Sequence, residues 1–516
     1  MRLLKKMLAV LSFVLVAFIV GCSNNSNINV TGSMEITIFK TSITIDTTFV
    51  DCEDGLLASN KVKVNVKVYD NEEAEISKKN ITVNSETLVG TAVDVTSLEA
   101  DTEYTVKLIA SLDGNQKVLE TKTIKTINNG ASLEDPIKIY TKSQFEAMNR
   151  EPDAYYSLEA DLDFEGEELS AIFNSSNKFT GYLEGNGHTI SNFKLDADTT
   201  YSGVFGYIKG ATITNLNLNN AVFNANRGER YIGALVGYAV NSTITNVHAD
   251  VVSITYKGQT TKTFMIGGLV GWAEKSTVEN CSVKNLTFAI DEAKLKGYIG
   301  GLVGQNTSSV VENSFVEGNI KAVVSYTSNS NGLAYIGGLI GLNDSAKGVN
   351  TCYAKTNITV TELNDYSGKT THKTFVGGLI GGNATTVCKF NDCAAIGDIT
   401  VTLEKSNTVY VGGLVGRFIQ GSTASNSVYV PAENGITIKL MDENGSVVEN
   451  VIQQKAYVGL VCGYSDAQSK LENVFAYENK FSYTPSVAEN NQITVNEGAV
   501  STDLTNLSDV IKNLIG

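Results

Sequence analysis

In the stretch YIGGLVGQNTSSVVENS, residues 298–314, Gly300, Gly301 and Gly304 have the spacing of a loop that could cradle a phosphate. Such a loop aims several backbone N–H groups at one anion, with a helix N-terminus or a lysine behind them. No Gly-Lys-Ser or Gly-Lys-Thr follows here, and the sequence signals no helix. The stretch also returns seven more times with little change, so its glycines are read as packing positions.

Other residues able to do chemistry are sparse. His188, His248 and His372 sit in unrelated contexts, which suggests no nucleophile–base set, and there is no His-Glu-x-x-His motif. Asp161, Asp163 and Glu165 alternate as calcium ligands do, but the glutamate that closes a calcium-binding loop is missing. Beyond Cys22, the cysteines are Cys52, Cys281, Cys352, Cys388, Cys393 and Cys462; none forms a Cys-x-x-Cys pair, and no zinc set is plausible. Cys388 and Cys393 are close enough to bridge, although buried thiols packing as small apolar groups are the favoured reading. Polysaccharide cleavage would need carboxylates clustered with a basic residue, and Arg227, Arg230 and Arg417 lie far apart. The chain is therefore expected to be no enzyme and to hold no metal or cofactor.

Composition narrows the classes further. A chain of 516 residues exceeds one compact core, so at least two domains are expected. Its net charge of −15 argues against a nucleic-acid partner, which would require clustered Lys and Arg. With 46 glycines, 4 prolines and abundant Val, Ile, Thr and Asn, the sequence suits sheets and turns.

At the N-terminus, MRLLKKMLAVLSFVLVAFIVGCSNNSN has a basic start and an apolar run, Met7 to Val20, short for a membrane span. Ile19-Val20-Gly21-Cys22 resembles a bacterial lipobox. That resemblance implies a signal peptide over 1–22, a diacylglyceryl group on the Cys22 thiol and a tether over 23–33. The alternative is an ordinary signal peptide with an incidental cysteine. An anchored chain would lie outside the cytoplasm, at the cell surface, with the membrane as a partner through its lipid.

Residues 34–127 alternate apolar and polar residues in short runs such as KVKVNVKVYD and EYTVKLIASL, the pattern of an antiparallel sandwich. LEADTEYTVKLIA, residues 98–110, resembles the tyrosine-corner region of fibronectin type III domains, with Tyr104 opening the sixth strand. The domain is read as fibronectin type III-like or Ig-like, a spacer or binding module. Residues 128–199 are expected to be a linker and cap, with Thr141 capping a short helix through Phe145 and Met148. FTGYLEGNGHTISNFKLD (179–196) is similar to the entry of parallel β-helix domains in bacterial surface proteins.

The repeat occupies residues 200–480. Its closing glycines are Gly206, Gly237, Gly271, Gly304, Gly341, Gly381, Gly416 and Gly463, spaced from 31 residues (206 to 237) to 47 (416 to 463). Nine or ten residues after each stands an asparagine: Asn215, Asn246, Asn280, Asn313, Asn350, Asn391, Asn426 and Asn473. The segments alternate or run β-branched, which excludes helical repeats, and no propeller-blade signature is present. A parallel β-helix fits, each coil being three short strands, with the surplus residues forming projecting loops such as 322–334 and 361–374. In YIGGLVG, alternation puts Tyr298, Gly300, Leu302 and Gly304 on one face of a strand, with Ile299, Gly301 and Val303 on the other. The glycines would then admit the covering loops. The asparagines are expected to form an inward hydrogen-bonded ladder at a turn rather than a surface ligand site.

The motif resembles the GLUG repeat of bacterial surface proteins. The expected fold is all-β: a small antiparallel β-sandwich, then a parallel β-helix (β-solenoid) of about eight GLUG-type coils, with residues 481–516 as C-terminal cap. The expected function is a lipid-anchored surface binding or adhesion protein whose variable loops take a glycan or extracellular protein. A polysaccharide-degrading enzyme or a purely structural spacer is the alternative.

Overall fold

A computed structural model describes residues 28–38, 42–51, 56–57, 59, 61–127, 130–169, 171–196, 199–225, 230–257, 263–294, 296–326, 332–364, 373–404, 408–441, 455–478, 480–484, 493–496, 501, 507 and 509–515. Cys22, Cys52, Arg227 and His372 lie outside these residues. The chain divides into two compact units, Met1–Ile137 and Lys138–Gly516.

In the first unit, Val30–Ile38, Ser42–Asp51 and Val93–Thr96 form one antiparallel sheet. Glu75–Ile81, Lys63–Tyr69, Glu103–Leu112 and Asn115–Lys125 form a second. Alternation turns Val64, Val66, Val68, Val106 and Leu108 inward, where they pack with Val30, Ile43, Ile45 and Val95. The buried Tyr104 hydroxyl accepts a 2.9 Å hydrogen bond from the Glu99 backbone N–H, pinning the turn that enters its strand.

The second unit opens with the helix Lys142–Glu146, whose N-cap Thr141 accepts from Gln144 N while the Gln144 side chain returns to the cap backbone. Coil stacking begins well before residue 200: Tyr155–Leu158 pairs in parallel with Tyr182–Glu184, and that strand with residues 212–214. Part of the expected cap is thus already solenoid. At the other end, Phe481–Thr484 and Ile493–Asn496 still add parallel strands.

The expected three strands per coil are seen in Arg230–Ile232, Val236–Val240 and Thr243–Lys257, and become four where a corner splits the last of them. In one such coil the four are Lys296–Gly300, Val303–Thr307, Val310–Glu312 and Phe315–Tyr326. Left-handed residues make two of the corners. Ser308 (φ 54°) precedes the third strand and Asn313 (φ 48°) the fourth. The residue after each such corner turns inward, and in this coil it is small, Ser309 and Ser314. Equivalent strands of successive coils pair in parallel at ~4.8 Å, and Ile266, Leu269, Val270, Ile299, Leu302, Val303, Ile336, Leu339 and Ile340 stack in the core. Each such side chain contributes roughly 2 kcal/mol of burial.

The glycine motif bends at Gly301-Leu302 and serves two sheets, which corrects the single-strand reading. Close backbone approach explains the glycines. A Cβ on Gly300 would lie 2.0 Å from Val303 O, and one on Gly304 would lie 2.6 Å from both Gly271 O and Ile266 N. Gly237, Gly271, Gly304, Gly341, Gly381, Gly416 and Gly463 each meet the carbonyl of the equivalent glycine in the coil before, so they form one column starting at Gly206. Backbone, not covering loops, fills the space.

The expected projecting loops are described only at their ends, since 327–331 and 365–372 lie outside the described residues. Residues 322–326 and 361–364 continue the fourth strand, and 333–334 and 373–374 start the next coil. The C-terminal segment is not an end cap among the described residues. Leu507 and Ile511, from the helix Asp509–Ile515 and just before it, pack on Ala394, Val428 and Phe475 of three successive coils, along the side of the stack.

Candidate functional site

The fourth strand carries a second left-handed position five residues beyond the first: Asn220, Val251, Asn285 and Gly318 follow Asn215, Asn246, Asn280 and Asn313. Between the two kinks, alternation turns Leu218, Ala249, Val283 and Val316 into the core. Outward stand Asn217 and Asn219, His248 and Asp250, Ser282 and Lys284, Phe315 and Glu317. Parallel register aligns Asn217, His248, Ser282, Phe315 and Tyr353 in one row along the stack. The kinks bound an open cleft of ≈ 440 Å³ lined by Asn217, Asn219, His248, Asp250, Ser282, Lys284 and Phe315.

One end of the cleft is aromatic. The Phe315 and Tyr353 rings lie parallel, 4.6 Å apart at 4°, with Lys284 Nζ 5.5 Å from the Phe315 centroid. The Tyr353 hydroxyl donates to Glu317 Oε1 at 3.3 Å; burial, and secondarily that carboxylate, holds its pKa above the usual phenol range. Beyond Tyr353 the row turns apolar, and the C-terminal helix covers it.

A directional hydrogen-bond chain runs from the corner asparagines into the cleft. Asn215 Nδ2 donates to Glu184 Oε1 at 2.8 Å, and Asn246 Nδ2 donates to Asn215 Oδ1 at 2.6 Å. That leaves Asn246 Oδ1 to accept from His248 Nε2 at 3.0 Å. His248 Nδ1 therefore carries the lone pair and accepts from Ser282 Oγ at 2.9 Å. Desolvation, helped by Lys284, lowers the His248 pKa below the ordinary imidazole value. Nothing in the order of residues hints at this set, because Glu184, Asn215, Asn246, His248 and Ser282 meet only when four coils stack.

The repeat asparagines divide. Asn215, Asn246, Asn280, Asn313, Asn426 and Asn473 hold left-handed corners, while Thr351 and Asp392 do so in the coils of Asn350 and Asn391. Asn391 therefore sits one position early; its Oδ1 accepts from Ser425 Oγ at 2.8 Å and Asn426 Nδ2 at 3.2 Å. Asn473 Nδ2 donates to Asn426 Oδ1 at 3.0 Å. These side chains are exposed or half-buried, so the row faces outward, a correction to the inward ladder. Inside, the polar ladder is made instead by serines: Ser242 N donates to Ser276 Oγ at 3.0 Å, and Ser276 N to Ser309 Oγ at 2.9 Å. Fully buried Asn306 and Asn343 are joined at 2.8 Å.

Cysteines take serine-like inward slots. Cys281 N donates to Ser314 Oγ and Cys393 N to Ser427 Oγ, each at 3.0 Å. Cys388 belongs to the neighbouring corner, whose partner is Ser422, and both Cys388 and Cys393 are free thiols. Asp163 Oδ1 accepts from Asn192 Nδ2 and Glu165 N, and Asp161 Oδ1 is 3.0 Å from His188 Nδ1, so these carboxylates pin corners. Arg417 Nη1 donates to Tyr335 at 2.7 Å over the Phe375 ring, far along the stack from buried Arg230.

No curated protein matches the sequence. Among solved structures, an IgA1 protease is similar over 86% of this chain at 15% identity and TM-score 0.35; the chain spans a third (33%) of its length. A Yersinia enterocolitica family 28 exopolygalacturonase aligns with 92% of this chain and 99% of its own, at 10% identity and TM-score 0.23. Pectate lyase PelI from Erwinia chrysanthemi, in complex with tetragalacturonic acid, aligns over 91% and 99%, at 10% identity and TM-score 0.13. The coils traced above coincide with a known repeat: residues 228–255, 263–288 and 297–321 match the GLUG motif, so the chain carries GLUG repeats wound as a parallel β-helix.

Proposed function

We propose that the protein is an exported bacterial lipoprotein, held to a membrane by acyl chains on Cys22, which displays its β-helix at the cell surface and binds a glycan along the Asn217–Phe315 cleft. The basic start and apolar run before Cys22 support the anchor. The N-terminal sandwich, with its Tyr104 turn, serves as a fibronectin type III-like spacer.

The observation that carries the binding reading is the cleft itself. It sets amide, imidazole, carboxylate, hydroxyl and ammonium groups at strand spacing along the stack and ends them against a parallel aromatic pair. A hydroxyl-rich chain needs donors and acceptors in alternation, and the C–H faces of its sugar rings stack on aromatic faces. The test is to probe residues 23–516 against an array of glycans and matrix proteins. Retention of glycans, weakened by Phe315→Ala, is expected. Retention of matrix proteins alone, or of nothing, contradicts the glycan reading.

A further inference from the structure

The chain from Glu184 to Ser282 does more than hold the cleft in shape. All four of its hydrogen bonds point the same way, each donor facing the Glu184 carboxylate. The imidazole is thereby fixed with its proton on Nε2 and its lone pair on the serine hydroxyl, the arrangement in which a histidine acts as general base for a serine. Ser282, 3% exposed, sits at the floor of the open cleft, and Lys284, next on the same outward face, lines that cleft as well.

We infer that Ser282 is a nucleophile and that the cleft hydrolyses esters, of the class of acyl groups carried on sugar hydroxyls. The activity goes beyond glycan binding, and only the sugar part of its substrate rests on that reading. Ser282 Oγ bonds to the ester carbonyl carbon as its proton passes to His248 Nδ1. The Lys284 ammonium faces the oxyanion. Collapse breaks the ester C–O bond, and the leaving alcohol takes the proton from Nδ1. Water then gives a proton to Nδ1 and its oxygen to the acyl carbon; the carboxylic acid leaves, and Oγ recovers the proton. Asn246 and Asn215 are positioning residues, acting through the imidazole.

The test uses the full chain with p-nitrophenyl acetate, an acetylated xylan and a fluorophosphonate probe. Expected are turnover, covalent labelling mapped to Ser282, and a loss of at least about 100-fold in both for Ser282→Ala and His248→Gln. The rate should rise with pH as the imidazole loses its proton. Ser282→Cys, which keeps a nucleophile of similar size, should instead gain reactivity toward iodoacetamide that depends on His248. Absence of labelling and turnover in the wild type, or Ser282→Ala retaining both, overturns the inference. Glycan capture without turnover sinks this inference alone, whereas turnover without glycan capture sinks only the binding reading.

Discussion

His248 Nδ1 lies 2.9 Å from Ser282 Oγ, although 34 residues separate the two in the chain. Parallel register places them opposite one another, and the Asn246 amide turns the ring so that its lone pair meets the hydroxyl. The neutral Nε2–H tautomer is therefore predicted to dominate at neutral pH, as read from imidazole ¹⁵N shifts. A dominant Nδ1–H form contradicts the chain.

Stability should carry the same signature. Because folding lowers the His248 pKa, the unfolded chain takes up the proton first as pH falls. The site's contribution is whole above about pH 6.5, the ordinary imidazole value, and is lost as pH falls through the folded-state value. The melting temperature of wild type relative to His248→Asn should decline below about pH 6.5. A difference that stays flat to about pH 5 would mean the ring is not desolvated as described.

The glycine column makes a sharper stability prediction. Gly304→Ala drives a methyl group to 2.6 Å from Gly271 O and Ile266 N, and stacked backbone has nowhere to retreat. A loss of at least about 2 kcal/mol is expected in denaturant unfolding. Gly187→Ala is the control for bulk alone, since nothing lies within 4 Å of its Cβ position; its φ of +77° makes it backbone-strained but not clashing. Its cost should be about 1 kcal/mol. Equal costs at the two positions would refute the packing role.

Leu507 and Ile511 cover Ala394, Val428 and Phe475. Ile511→Ala is expected to cost about 2–4 kcal/mol of local stability. It should raise amide exchange in the helix Asp509–Ile515 and in Thr423–Val430 before other strands respond. Unchanged exchange in Thr423–Val430 would dissociate the helix from that face.

The proposed acyl anchor on Cys22 has its own test. Cys22→Ser should abolish incorporation of radiolabelled fatty acid and release the chain from the membrane fraction. Continued labelling of Cys22→Ser would refute an acyl group on that thiol.

Solenoid architecture could be read from the sequence because it repeats: Gly206 to Gly463 and the asparagines behind them mark the central coils, while the stacking before residue 200 lacks that mark. Corner geometry was harder to see. YIGGLVG alternates like one strand, and only the clash at Gly300 shows that it bends. Asn391 fits the spacing, yet Asp392 takes the left-handed corner, since Asx residues both adopt that conformation and the register moves by one. The candidate site was invisible for a deeper reason. His248 and Ser282 share one slot of their repeats with Asn217, Phe315 and Tyr353, so comparing repeats averages that slot away, and only lateral stacking joins His248 to Ser282 and to the corner asparagines.

Glycan binding in the cleft is tested by calorimetric titration of wild type and Phe315→Ala with a glycan retained on the array. Stacking against the Phe315–Tyr353 pair is worth about 0.5–1.5 kcal/mol beyond burial, so Phe315→Ala should bind about 10-fold more weakly or worse with its fold intact. Equal affinity of the two proteins would place the ligand elsewhere on the solenoid and contradict binding in the cleft.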